Sequence, residues 1–149
     1  MRLEDPIHCV LERKGRDVWG ISPGATVFEA IEVMSDRHVG ALVVLEGRKL
    51  VGVVSERDYA RKVILKGRSS RESLVGEIMT SPVVIVTPHH TVGECMGVMT
   101  ESKVRHLPVV EEGQVVGVLS MGDLVHWVIS AQEEIIHELE DYIAGRYPA

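Results

Sequence analysis

The chain has 149 residues and a formal net charge of −6, with 45% apolar, 26% charged and 4% aromatic residues. This size fits one domain, or two half-size units sharing a core, and needs no disulfide or metal to fold. The apolar content excludes disorder, and no apolar run approaches the ~18–20 residues that cross a bilayer. The start, Met1-Arg2-Leu3-Glu4-Asp5, lacks the apolar stretch of a secretory signal. Cys9 and Cys95 make no metal-binding pattern and read as reduced thiols, so a cytoplasmic protein is expected. The acidic balance argues against nonspecific nucleic-acid binding but leaves room for a local basic pocket.

In chain order, the first predicted element is a helix over residues 5–14. Asp5 is its expected N-cap, Pro6 its first residue and Gly15 its stop, with Ile7, Val10 and Leu11 facing inward. A short strand, Val18 to Ile21, ends at Ser22-Pro23. Thr26 with Glu29 forms a capping box that opens a helix with Val27, Ala30, Ile31 and Met34 on one face. Two valine-rich runs, Ala41 to Leu45 and Leu50 to Val54, flank a polar turn and read as a hairpin. A second helix starts near Asp58. Ser69 with Glu72 predicts a short linker helix running to Met79.

Everything from Val18 onward then recurs. Displaced by 65 positions, the sequence matches itself without a gap, and 18 of the 47 positions from Val18 to Ile64 are identical. Pro23 falls on Pro88, Thr26-Val27 on Thr91-Val92, Glu29 on Glu94, and Val51-Gly52-Val53 on Val116-Gly117-Val118. Ser55 and Asp58 fall on Ser120 and Asp123. Each copy is β-α-β-β-α, the second starting with a strand from Val83 to Val86. A final acidic helix over 131–145 carries Ile135, Ile136, Leu139 and Ile143 as one stripe, which covers either the chain's own core or a partner subunit. The predicted units are 1–16, 17–66, 67–82, 83–130 and 131–149. The repeat also accounts for the roughly 25 valines, which write short buried strands twice.

The doubled Gly-apolar-apolar-Ser-x-x-Asp, as Gly52-Val53-Val54-Ser55-Glu56-Arg57-Asp58 and Gly117-Val118-Leu119-Ser120-Met121-Gly122-Asp123, resembles the CBS domain. So do Glu77-Ile78-Met79-Thr80 and Arg105-His106-Leu107-Pro108-Val109. Two such units in one chain are similar to a CBS pair, or Bateman module, of the small stand-alone kind. The resemblance covers about residues 17–130. It implies an α+β fold of tandem β-α-β-β-α repeats packed about a pseudo-twofold axis, with helices added at both ends. It further implies two clefts for adenine nucleotides and a homodimer of pairs.

The residues themselves fit that chemistry. A serine and free amides at a strand-to-helix turn suit an anion, and a nearby carboxylate either caps the helix or accepts ribose hydroxyls. One expected cleft combines Arg105 and His106 facing phosphate with Ser120 and Asp123, and Val39, Gly40 and Ala41 lining the base. A second uses Ser55, Arg57 and Asp58 with Val104 by the base. Two copies of AMP, or NADH in one cleft and AMP in the other, are the ligands this arrangement suggests. No cofactor is required. The seven histidines show no metal-ligand spacing, no catalytic motif is present, and an enzyme is not expected. The competing reading is a dimerisation or protein-interaction module without ligand. No membrane or nucleic-acid partner is implied, and the sequence names no downstream protein.

Overall fold

The computed structural model describes residues 2–145. The elements run α1 (Ile7–Lys14), β1 (Gly20–Ile21), α2 (Val27–Arg37), β2 (Ala41–Glu46), β3 (Lys49–Ser55) and α3 (Glu56–Tyr59). A π-helical turn (Ala60–Ile64) extends α3, and α4 (Val75–Ile78), α5 (Val92–Ser102), β4 (His106–Glu111), β5 (Gln114–Ser120) and α6 (Met121–Ile143) follow. The fold is the expected α+β arrangement of two β-α-β-β-α repeats.

The repeat is visible residue by residue. Thr26 caps α2 and Thr91 caps α5, each accepting the amide of the glutamate three residues on, and each glutamate returns a bond to the cap's own amide. Both helices end on a left-handed residue, His38 at φ 55° and Lys103 at φ 55°, 65 positions apart. The next amides, of Val39 and Val104, bond back to Met34 and Met99. The hairpins β2–β3 and β4–β5 share one register, with a bulge after Val44 and after Val109.

The first strand of each repeat is shorter than expected. In repeat 1 only Gly20–Ile21 pairs, in parallel with Val43 and Val44. In repeat 2 the pairing shrinks to one bridge, Val86 to Val109. The cause is Pro108. Its counterpart Val43 donates to the Trp19 carbonyl at 3.2 Å, whereas proline has no N–H, so the carbonyl of Val84 loses that ladder bond.

Two other boundaries also move. Pro6, not Asp5, stands at the N-cap of α1, and the Asp5 carboxylate accepts the Trp127 indole N–H at 3.1 Å instead. The linker helix starts at Val75 rather than after Ser69, because Leu74 is the cap and the Glu77 carboxylate accepts its amide. Residues 69–73 are a turn closed by the Ser69 carbonyl. The acidic C-terminal segment is the unbroken continuation of the last helix of repeat 2, and its stripe is solvent-exposed.

Two cores result, and each repeat is closed by a segment outside it. Repeat 1 packs Val27, Met34, Leu42 and Val54 against Val75 and Ile78 of the linker helix. Repeat 2 packs Val92, Met99, Leu107 and Leu119 against Ile7, Val10 and Leu11 of α1. The N-terminal helix therefore does for repeat 2 what α4 does for repeat 1. The backbone bonds agree: Val27 N–H donates to Ser73, and Val92 N–H to Asp5. Each segment lies on the central glycine of a hairpin. A Cβ on Gly52 would lie 2.5 Å from Met79 Sδ, and one on Gly117 2.7 Å from a Leu11 methyl.

Two stability predictions follow from this docking. Leu11→Ala removes a fully buried side chain and is expected to cost about 2–5 kcal/mol in urea unfolding. Gly117→Val should cost about 1–3 kcal/mol by overpacking against the same leucine. Both losses should appear although α1 precedes the other repeat in sequence, and wild-type stability in either variant would disprove the docking.

Candidate functional site

The α3 and α6 helices start identically. Ser55 and Ser120 are their N-caps, each accepting the amide of the aspartate three residues on, at 3.2 and 3.1 Å. The aspartates answer by accepting the serine amides at 2.9 and 2.8 Å. Both Ser-x-x-Asp motifs are thus capping boxes in which one oxygen of each aspartate is already used. What the other surroundings do to each aspartate separates the two halves.

In repeat 1 the second oxygen of Asp58 accepts Lys62 Nζ at 3.0 Å and lies 3.5 Å from Thr80 Oγ1. Lys62 also donates to the Ile78 carbonyl at 2.8 Å, tying the π-helical turn to the linker. These groups form one wall of a cleft of about 590 Å³ between the repeats. The facing wall comes from repeat 2: Lys103, Val104, Arg105 and His106, with Val83 and Val84. Gly40 lies at the seam, where a Cβ would meet His106 Nε2 at 3.5 Å.

In repeat 2 the aspartate takes its lysine from a different element. Lys14, at the end of α1, reaches Asp123 Oδ2 at 2.7 Å and the Val118 carbonyl at 2.7 Å. Beside it remains a pocket of about 250 Å³, bordered by Arg13, His126 and Trp127. The N-terminal helix that completes the core of repeat 2 thus also supplies the partner of Asp123.

This changes the expected grouping of residues. Gly40, Ser55, Arg57, Asp58, Val104, Arg105 and His106 line one cleft together. Arg105 and His106 therefore share it with Ser55 and Asp58, while within their own repeat His106 stays paired with Ser120 across the hairpin and the Arg105 carbonyl accepts the Met121 amide. The reason is packing across the pseudo-twofold seam, which sets the start of β4 against the start of α3. Ser120 remains a helix cap, and Asp123 belongs to the Lys14 contact. Val39 packs on the repeat 1 core and Ala41 is buried at the start of β2; neither borders this cleft, and both were expected beside Ser120 and Asp123. Arg61, Lys62, Lys103 and Thr80 border the cleft as well, and sequence reasoning missed Lys103 and Thr80. The left-handed backbone that puts Lys103 at the rim is not readable from a lysine.

The cleft is electropositive within an acidic chain. Arg57, Arg61, Lys103 and Arg105 border it without a carboxylate partner among the described residues, against Glu56 and the already bonded Asp58. His106 is held below its usual value of 6.5, chiefly by burial; Lys14 and Arg105 add to this, while Asp123 and Glu56 oppose it. Among the described residues no cluster of three or more His, Cys, Asp or Glu side chains is placed to hold a metal ion, and no helix is long and apolar enough to cross a membrane.

A depressed His106 makes a signed prediction. Below about pH 6.5 the unfolded chain takes up this proton before the folded one does, so stability is lost as pH falls from there towards the folded value. His106→Gln should flatten part of the loss in urea-unfolding free energy between pH 7 and pH 5.5. An unchanged slope would assign that loss to other groups.

Comparison with known proteins agrees with this architecture. The CBS domain family model matches residues 15–65 and again 75–130. The mitochondrial CBS domain-containing protein CBSX3 of Arabidopsis thaliana is 38% identical over 150 residues, covering 95% of this chain and 73% of that protein. Two longer Arabidopsis relatives are spanned over only 22% and 21% of their length. A protein with CBS domains from Burkholderia ambifaria MC40-6, assigned to signal transduction, superposes with a TM-score of 0.83 at 42% identity, over 86% of this chain and 96% of that one. At 19% identity the CBS domain pair of protein MJ0100, in complex with 5′-methylthioadenosine and S-adenosyl-L-methionine, shares the fold with a TM-score of 0.76, over 85% and 98% of the two chains. With both repeats matched by the model and the hairpins, caps and seam placed as described, this chain belongs to the CBS domain family.

Proposed function

We propose that the chain is a regulatory module that takes one adenine nucleotide in the open cleft and reports its presence through the relative tilt of the two repeats. The observation that carries this reading is the cleft's lining: four cations lacking a carboxylate partner, Arg57 and Arg61 from repeat 1 and Lys103 and Arg105 from repeat 2, together with the apolar Val53, Val83, Val84 and Val104. The cations suit phosphate, and the valines with Gly40 suit the flat apolar face of a base. The cleft is built from both repeats, so a ligand touching both walls favours one tilt over another, which is the condition for a conformational signal. That MJ0100 holds adenosine compounds on the same fold supports the ligand class. AMP is the first candidate, with NADH as a larger one, and no cofactor is needed for the module to fold.

The same reading has two copies working as a homodimer in the cytoplasm, in keeping with two free cysteines, Cys95 being buried with its thiol pushed up to about 11. Catalysis has no part in it. The alternative, an interaction module without ligand, gives no reason for unpaired cations to converge on a cleft.

The test is a thermal-shift and calorimetric panel of AMP, ADP, ATP, NADH, S-adenosylmethionine and adenosine. A ligand at a hundred times its Kd should add about 2.7 kcal/mol of stability. Arg105→Ala is expected to weaken AMP by about 1.5–3 kcal/mol, the scale of a charged hydrogen bond, and adenosine far less. Asp123→Ala should leave AMP affinity unchanged. If no adenine compound at millimolar concentration raises the melting temperature, the ligand reading fails.

A further inference from the structure

Two surfaces of this chain complement each other and do not meet within one copy. The first is the outer half of α6. From residue 132 to Ile143 nearly every side chain is exposed, although the stripe of Ile136, Leu139 and Ile143, flanked by Ile135 and Tyr142, is that of a buried helix face. Ile136 is 55% exposed, Leu139 57% and Ile143 84%. This stretch of about 18 Å carries five carboxylates and no lysine or arginine.

The second surface is the π-helical turn that extends α3. Repeat 1 ends its last helix there, where the equivalent helix of repeat 2 runs on for about four more turns. Ile64 and Leu65 are 55% and 77% exposed, with Arg61 one turn before them and Lys66 beside them. Residues 57–71 carry six lysines and arginines against a single carboxylate, Asp58. Of these, Lys62 is tied to Asp58 and Arg68 to Glu77, and Arg57 and Arg61 also border the cleft, so Lys66 and Arg61 are the cations that flank the exposed Ile64 and Leu65.

We infer that the acidic outer half of α6 docks on the basic π-helical turn of a second copy, in a twofold dimer containing this contact twice. Apolar residues sit at the centre of both surfaces and opposite charges sit around them, the pattern of a steered and specific interface. A twofold axis satisfies both surfaces at once, because each copy offers one of each. A single copy cannot, since α6 is one unbroken helix and both surfaces stand exposed in it. This deepens the paired-copy part of the proposed function and rests on that part alone; it needs no nucleotide.

The experiment is sedimentation velocity on the full chain without nucleotide, over a concentration series, with circular dichroism to verify folding. Ile136→Glu with Leu139→Glu, and separately Leu65→Asp, should each raise the dimer dissociation constant at least about tenfold. None of these side chains borders the cleft or either core. Lys66→Glu alone and Glu138→Lys with Glu140→Lys alone should also weaken the dimer, whereas their equimolar mixture should regain it, because the reversed charges then face each other. Dimerisation should weaken with added salt. A monomeric wild type overturns the paired-copy reading itself. A wild-type dimer that ignores the Leu65 and Lys66 changes leaves pairing standing and overturns this contact. If the α6 variants alone dissociate it, α6 packs on its own counterpart instead.

Discussion

Everything in this molecule depends on two close approaches of chain to chain at a glycine. Each hairpin has one in the middle of its second strand, Gly52 and Gly117, and each is covered by a large apolar side chain from a segment outside the repeat, Met79 and Leu11. A repeat of some 50 residues has too little interior to stand alone, and its sheet has one face to cover. The flanking segment supplies the cover. Because glycine lacks a Cβ, the covering helix lies directly on the strand, and the buried layer is Val75 and Ile78 in one half, Ile7, Val10 and Leu11 in the other.

That docking decides the electrostatics of the clefts. The linker segment ends in Thr80 and receives Lys62, so it helps form the open cleft without filling it. The N-terminal segment ends in Lys14, which runs straight into the carboxylate of Asp123. Two motifs of identical backbone geometry thus have unequal surroundings: Asp58 takes Lys62 from the turn that extends its own helix and faces a cavity with several unpaired cations, whereas Asp123 takes Lys14 from the N-terminal helix. The asymmetry comes from which residue follows the covering helix, not from the Ser-x-x-Asp motif.

His106 sits where these halves meet. It abuts Gly40 across the seam, borders the open cleft, and feels both Asp123 and Lys14. A side chain placed this way feels charges from both halves of the seam.

Much of this was legible in the sequence. The 65-residue repeat, the capping boxes at Thr26 and Thr91, the hairpins and the inward face of α1 all follow from local rules, because caps, turns and period patterns involve residues a few positions apart. The family was legible too, since its motif occurs twice at matching offsets. What tertiary structure alone decided are relations across the chain. Pro108 shortened a strand because its missing N–H faces another strand. Lys14 reached Asp123 over 109 positions. Arg105 gained Ser55 and Asp58 as cleft neighbours in addition to the helix start of its own repeat, because the seam brings the start of one repeat's hairpin against the other repeat's helix. Sequence by itself determined two equal repeats with their caps and strands; only packing across the pseudo-twofold seam, whose partners lie far apart in the chain, decided which residues of the two repeats face each other in the cleft and which lysine each aspartate holds.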